Sequence, residues 1–211
     1  MALTPPTIIP VFPLYGTILL PGCILPLNIF EPRYRQMIKD HRESENAYIG
    51  MIQPKDANTE ELYKIGCIGQ LEQCKQLPNG NYMIRLEGSI RFQVEKEIPT
   101  DKLYRETLVR YTDFQHDTKE KNAVLEKGPL YDAFQYYLEK RNVTMIWDKI
   151  KMIPLHHLVN ILSMNLEFTS SEKQTLLESY DISTRWQDLI SLLQMVSMPH
   201  TMGKNADEML N

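Results

Sequence analysis

At 211 residues, 43% of them hydrophobic and 24% charged, the chain has the make-up of a soluble globular protein of one domain or two small ones. Its net charge of −4 gives no electrostatic reason to expect a nucleic acid or an anionic membrane as partner, since either needs a clustered basic surface. Three cysteines (Cys23, Cys67 and Cys74) are too few and odd in number for a disulfide framework, and no lysine or arginine precedes Arg33 to open a signal peptide, so a reducing cytoplasm is the expected location.

The opening stretch Ile9–Arg35 is apolar up to Glu31 but carries Pro10, Pro13, Pro21 and Pro26. Each proline costs about 3 kcal/mol inside a helix, so a membrane helix is excluded and short extended segments are expected instead. Pro21-Gly22 marks a turn, Ile24–Phe30 a strand, and Pro32 the first residue of a helix over Pro32–Lys39. Tyr34, Met37 and Ile38 share one face of that helix. Ala47–Gln53 reads as a buried strand and Asp56–Glu61 as a surface loop. Ile65–Gln76 and Tyr82–Val94 flank Leu77-Pro78-Asn79-Gly80-Asn81, where the Asn-Gly pair tolerates the positive φ of a tight hairpin. Gly88 predicts a bulge or sharp bend of the kind that curls a sheet toward a barrel. Tyr104–Tyr111 is a further strand. Across Tyr82–Arg110, the cations Arg85, Arg91, Lys96, Lys102, Arg105 and Arg110 alternate with Glu87, Glu95, Glu97, Asp101 and Glu106. That mixture predicts solvated cross-strand pairs and leaves no basic stripe for RNA.

After Asp113 the apolar period changes to that of helices. Gln115–Lys127 is charged and reads as the connection between two halves. Leu130, Phe134, Tyr137 and Leu138 fall on one helical face, as do Leu155, Leu158, Val159 and Leu162 beyond Pro154. Thr169 and Glu172 have capping-box spacing, and a last helix presents Ile182, Trp186, Leu189, Ile190, Leu193 and Val196. The expected division is a β-rich subdomain over residues 1–114, a helical bundle over 115–199 and a flexible tail over 200–211.

The search for chemistry is negative. A phosphate loop needs Gly-x-x-x-x-Gly-Lys-Ser/Thr, and Gly203-Lys204 is followed by Asn205. Ser171 and Lys173 fall in the first turn of a helix, where capping and solvation account for them. His156 and His157 point about 100° apart, one expected on the buried flank and one in solvent, and cannot share a metal as an i, i+4 pair does. Cys67 and Cys74 fall on opposite faces of a strand and are expected as core or half-buried thiols. Met37, Met145, Met152, Met164, Met195 and Met198 are expected mainly in the core, with a methionine-lined groove for apolar segments as the alternative. No catalytic, cofactor-binding or metal residue is assigned, no cofactor is expected, and the peptide-binding residues and oligomeric state stay open.

The fixed spacing of Pro10-Val11-Phe12-Pro13-Leu14, Leu20-Pro21-Gly22, Leu25-Pro26-Leu27 and Ile29-Phe30-Glu31-Pro32-Arg33-Tyr34-Arg35 resembles the opening of the N-terminal domain of Lon proteases. Leu62–Gly69, the Pro78-Asn79-Gly80 hairpin with Arg85–Phe92, and Leu158–Leu166 with Ser170–Leu177 continue the likeness, over roughly residues 8–197. The resemblance implies an α+β fold: a curled β-sheet or pseudo-barrel (PUA-like) with one helix, then a C-terminal α-helical bundle. It implies a non-enzymatic module that recognises unfolded or exposed apolar protein segments and stands apart from ATPase and peptidase domains, with a protease as a candidate partner and no membrane. The crevice between the β part and the helices is its expected site. A small-ligand or RNA-binding regulator using the β pocket is the alternative.

Overall fold

The prolines of the opening segment fall where a sheet tolerates them. In the computed structural model, which describes residues 5–43 and 47–197, the strands are β1 (Ile8–Pro13), β2 (Ile24–Ile29), β3 (Tyr48–Ile52), β4 (Ile65–Gln76), β5 (Tyr82–Ile98) and β6 (Arg105–Arg110). β1 runs parallel to β3 and antiparallel to β6, and β4 pairs with both β3 and β5. The 17-residue β5 has β4 along one edge and two neighbours in turn along the other: its first half pairs with β2, its second with β6 (Gln93↔Arg110 onward). The β5–β6 pairing closes β1-β3-β4-β5-β6 into a barrel and leaves β2 as an outer strand. Because Gly88 N–H donates to Cys23 O and the register continues to Leu25↔Leu86, Pro26 sits at a non-hydrogen-bonded position of β2. Its nitrogen therefore faces the open side, where no donor is missed.

β5 shows why Gly88 is glycine. The register steps from Ile68↔Ile90 to Gly69↔Gly88, so Ser89 bulges out. At the same point the β5 backbone closes on the Leu20–Cys23 turn, with Gly22 N–H to Gly88 O and Gly88 N–H to Cys23 O both 2.8 Å. A Cβ on Gly88 would lie 2.1 Å from Leu20 O. The β4–β5 hairpin is wider than a two-residue Asn-Gly turn: Gly80 N–H meets Leu77 O, Leu77 N–H meets Asn81 O, and only Gly80 takes positive φ (81°). That is a type I turn closed by a left-handed glycine.

Helix α1 (Pro32–His41) buries Tyr34, Met37 and Ile38 against the sheet, on the side that carries Tyr82, Ile84 and Leu86. The barrel interior is filled by Ile9, Val11, Ile68, Ile90 and Phe92. After β6 the chain forms a 3-10 segment (Thr112–Asn122) and helices α2 (Lys127–Lys140), α3 (Trp147–Lys151), α4 (Leu155–Asn165), α5 (Ser170–Glu178) and α6 (Ile182–Ser197). Leu130, Phe134, Leu158, Val159, Leu176, Leu189 and Leu193 form a second core among the helices. Met164 and Leu177 join the barrel-side core, so the helical layer packs directly on the β layer. The architecture is α+β. No helix among the described residues is long and apolar enough to cross a membrane. The tail expectation for residues 200–211, and Met198, lie outside the described residues.

The charged stretch Gln115–Lys127 does run from the β layer to α2, but two of its charges, Asp117 and Glu120, are buried, and Phe114 just before it is part of the barrel core. α5 opens on the expected box, with Glu172 N–H donating to Thr169 Oγ1 and Thr169 N–H to Glu172 Oε2. α6 opens on Asp181, whose Oδ1 accepts from Thr184 N–H at 2.8 Å and Oγ1 at 2.9 Å. The backbone bond from Thr184 leads the causes that hold the Asp181 carboxyl below its usual value. A depressed folded-state pKa gives stability that is complete above the unfolded carboxyl value and is lost as pH falls through the folded one. Asp181→Ala is expected to cost about 1 kcal/mol at neutral pH, and the deficit should shrink as pH drops below about 4. Urea titrations showing a pH-independent deficit wherever the parent stays folded would contradict this.

Candidate functional site

The expected crevice between barrel and helices is occupied by buried polar side chains. Gln53 at the end of β3 accepts from Gly16 N–H (2.9 Å) and Ser170 Oγ (2.8 Å) and donates to Ser170 O (3.1 Å) and Gln174 Oε1 (3.0 Å). Arg91 on β5 is fully buried: it is forked onto Asp117 (Nη2–Oδ1 2.7 Å) and donates to the carbonyls of Leu177 (2.8 Å), Ser179 (2.5 Å) and Tyr180 (3.0 Å). These carbonyls close the C-terminal end of α5, which has no helical donors of its own to offer them. Arg185, also fully buried, bonds Leu176 O (2.9 Å), Glu120 Oε1 (2.8 Å) and Asn160 Oδ1 (2.8 Å). Asn160 Nδ2 reaches on to Glu120 Oε2 (2.8 Å) and to Pro21 O (3.1 Å). The two arginines lock strand, 3-10 segment and three helices together. At the surface the seam carries a hollow of about 300 Å³ lined by His116, Lys119, Glu120 and Asp181 among others.

None of the residues with reactive chemistry comes together there. Lys173 Nζ donates to Gly16 O at 3.1 Å and burial lowers its pKa, while Ser171, exposed, lies 3.2 Å from Thr169 Oγ1. Lys173 thus anchors the Pro13–Thr17 turn. Both His156 and His157 are half-buried, contrary to the expected split. Burial, reinforced by Glu120, pushes Cys23 up to about 12, and Cys67 is raised well above its usual value by burial and Asp117, so neither is a ready thiolate. Cys74 is exposed rather than core, because β4 beyond Leu71 leaves the barrel. Met37 and Met164 are core, whereas Met145, Met152 and Met195 are exposed, so helical position alone misplaced them. Among the described residues no group of three or more His, Cys, Asp or Glu is placed to hold a metal.

A different surface collects apolar side chains. Where β2, the first half of β5 and the end of β4 extend past the barrel, they form a three-stranded ribbon with α1 on one face. On the other face, residues alternate outward: Ile24, Pro26 and Asn28 from β2, Met83, Arg85 and Glu87 from β5, Gln73 and Lys75 from β4. Met83 is 54% exposed, Ile24 38%, and Phe30, just beyond β2, 62%. A groove of about 500 Å³ lies on this ribbon, with Pro26, Asn28, Met83, Arg85, Gln73 and Lys75 along it and no residue of α1.

Comparison with known proteins agrees with this architecture. The family profile described as the ATP-dependent protease La (LON) substrate-binding domain matches residues 8–195. The chain belongs to this family. Among curated relatives of the LON domain, Lon protease of Orientia tsutsugamushi is 27% identical over 190 residues, covering 86% of this chain and 24% of that protein. Lon protease of Cytophaga hutchinsonii is 23% identical over 205 residues, covering 89% and 24%. The chain thus spans about a quarter of the length of these relatives. The solved Lon N-terminal domain protein from Xanthomonas campestris superposes with a TM-score of 0.63 at 19% identity, covering 88% of this chain and 98% of that one. The N-terminal domain of Mycobacterium avium complex Lon protease gives 0.63 at 18%, covering 89% and 98%. Both share the fold.

The residues that carry the LON resemblance are architectural. Tyr34 is 3% exposed, its hydroxyl donates to Pro13 O, and its ring meets Phe12 edge-on at 4.1 Å. Gly22 seats the turn on Gly88, and Pro21 O receives Asn160. What sequence reasoning missed is the pair of buried arginines. A signal existed for Arg185, which stands three residues after Ile182 and four before Leu189, inside the apolar stripe of α6. Arg91 was assigned to a solvated face because simple alternation hides the shift that the Ser89 bulge introduces: Ile90, Arg91 and Phe92 are all buried.

Proposed function

We propose that this LON domain is a non-enzymatic protein-binding module that holds unfolded or exposed apolar segments of other proteins on the outer face of its β2–β5–β4 ribbon. One observation carries the reading: in a family defined by substrate binding, this face presents Ile24, Met83 and the neighbouring Phe30 to solvent beside a groove. Exposed apolar side chains set among polar ones beside a groove are what a protein-binding surface offers. Proteolysis is in the relatives' names, but this chain matches only a quarter of their length, and recognition without chemistry is what its own residues support. A protease acting on the held segment is the fitting partner, in the cytoplasm. The small-ligand or RNA regulator reading draws less support, because the barrel interior is filled by Ile9, Val11, Ile68 and Phe92.

The test is fluorescence anisotropy with a labelled, permanently unfolded polypeptide and a single-stranded RNA, each at low and high salt. Apolar burial is little screened, whereas phosphate contacts weaken steeply with salt. Polypeptide binding that persists at high salt is expected. RNA binding with a steep salt slope, and none to the polypeptide, would overturn the reading.

A further inference from the structure

The ribbon groove has a charge character as well as an apolar one. Arg85 lies directly across from Pro26 on β2 and Gln73 on β4, and Met83 directly across from Asn28 and Lys75. No acidic side chain occupies a facing position, and neither Arg85 nor Lys75 has a hydrogen-bond or ion-pair partner among the described residues. Four other surface cations of the β layer are paired, Lys55 with Glu61, Lys102 with Glu106, Arg105 with Glu97 and Arg110 with Asp113, while Lys64 and Lys96, away from the groove, are not paired among the described residues. Glu87, two residues along β5 and opposite Ile24, is engaged with Glu72; burial and that hydrogen bond raise its pKa. The β2 edge of the ribbon carries Pro26, whose missing N–H interrupts pairing with a strand added there, and the groove itself lies on the face, where a ligand is received by side chains.

We propose that the groove selects an apolar residue flanked by carboxylates: the apolar side chain lies on Met83 and Pro26, and the flanking Asp or Glu meet Arg85 and Lys75. This deepens the protein-binding reading and rests on it. The recognised class is an acidic-apolar segment of a polypeptide, with arginine supplying a forked donor to a carboxylate and lysine a point charge. Two exposed ion pairs are worth about tenfold in affinity, and reversing both protein charges reverses the preference.

The experiment uses three labelled peptides of identical apolar core, flanked by Glu, Gln or Lys, and a single-stranded RNA, read by anisotropy. The whole chain binds the Glu-flanked peptide about tenfold tighter than the Lys-flanked one, with Gln between. Arg85→Glu combined with Lys75→Glu inverts that order, and Met83→Asp weakens all three. These side chains are exposed, so circular dichroism and thermal melting should match the parent. Equal binding of the three peptides, lost in Met83→Asp, overturns the acidic class while leaving the apolar surface standing. Peptide binding indifferent to all these variants overturns the site. RNA bound in preference to every peptide, or no peptide bound, overturns the underlying protein-binding reading itself.

Discussion

Replacing Arg91 with alanine is expected to lower the unfolding free energy by about 3–5 kcal/mol, the cost of stranding a buried charge whose partner has been removed. Asp117, with a fully buried side chain, would keep its backbone bond from Arg91 N–H (3.0 Å) and a longer contact with His116 (3.7 Å); the carbonyls of Leu177 and Ser179 would lose the Arg91 donor outright, and that of Tyr180 would be left to His116. For a chain of this size the melting temperature should fall by about 10 °C. Arg91→Lys should recover little, since one ammonium on a flexible stem cannot serve a carboxylate and three separate carbonyls. Urea midpoints and calorimetry measure both variants. A loss under about 1 kcal/mol for alanine, or near-complete rescue by lysine, would show that the fork is dispensable.

Gly88→Ala is the second large effect expected, about 3 kcal/mol, at the upper end of what overpacking a core costs. The added methyl would sit 2.1 Å from Leu20 O and 2.8 Å from Leu20 C, against backbone held by two hydrogen bonds rather than a side chain free to swing. Gly128→Ala is the natural control. Nothing lies within 4 Å of a Cβ there, and the site is helical, so alanine should be neutral or slightly stabilising. Equal urea midpoints for the two variants would mean that the β5 bulge moves aside at little cost.

Proline spacing, the Asn79-Gly80 turn and the apolar faces of α2, α4 and α6 made the strands, the hairpin and most helices legible in the sequence, because each is decided by nearby residues. The short α3 was not legible: none of its five residues is buried and it has no periodic face to declare it. Arg91, Asp117, Glu120 and Arg185 escaped for the opposite reason. A charge is read locally as solvated, and only a partner 26 or 65 residues away makes its burial tolerable. The ribbon face was hidden in the same way. Met83 and Arg85 belong to an ordinary alternating strand, and what sets them apart is the company of β2 and β4 across the sheet.

Pro26 has a bearing on the molecule's own solubility. A curled sheet that closes on itself protects its strands from neighbours, and here the outer strand that stands apart from the closure is β2. An unblocked border of that kind lets identical molecules join end to end into fibrils. By interrupting the outward row of donors midway along β2, Pro26 denies a second molecule the continuous ladder it would need. A surface that presents Ile24, Met83 and Phe30 to solvent is therefore guarded against strand addition along its β2 border.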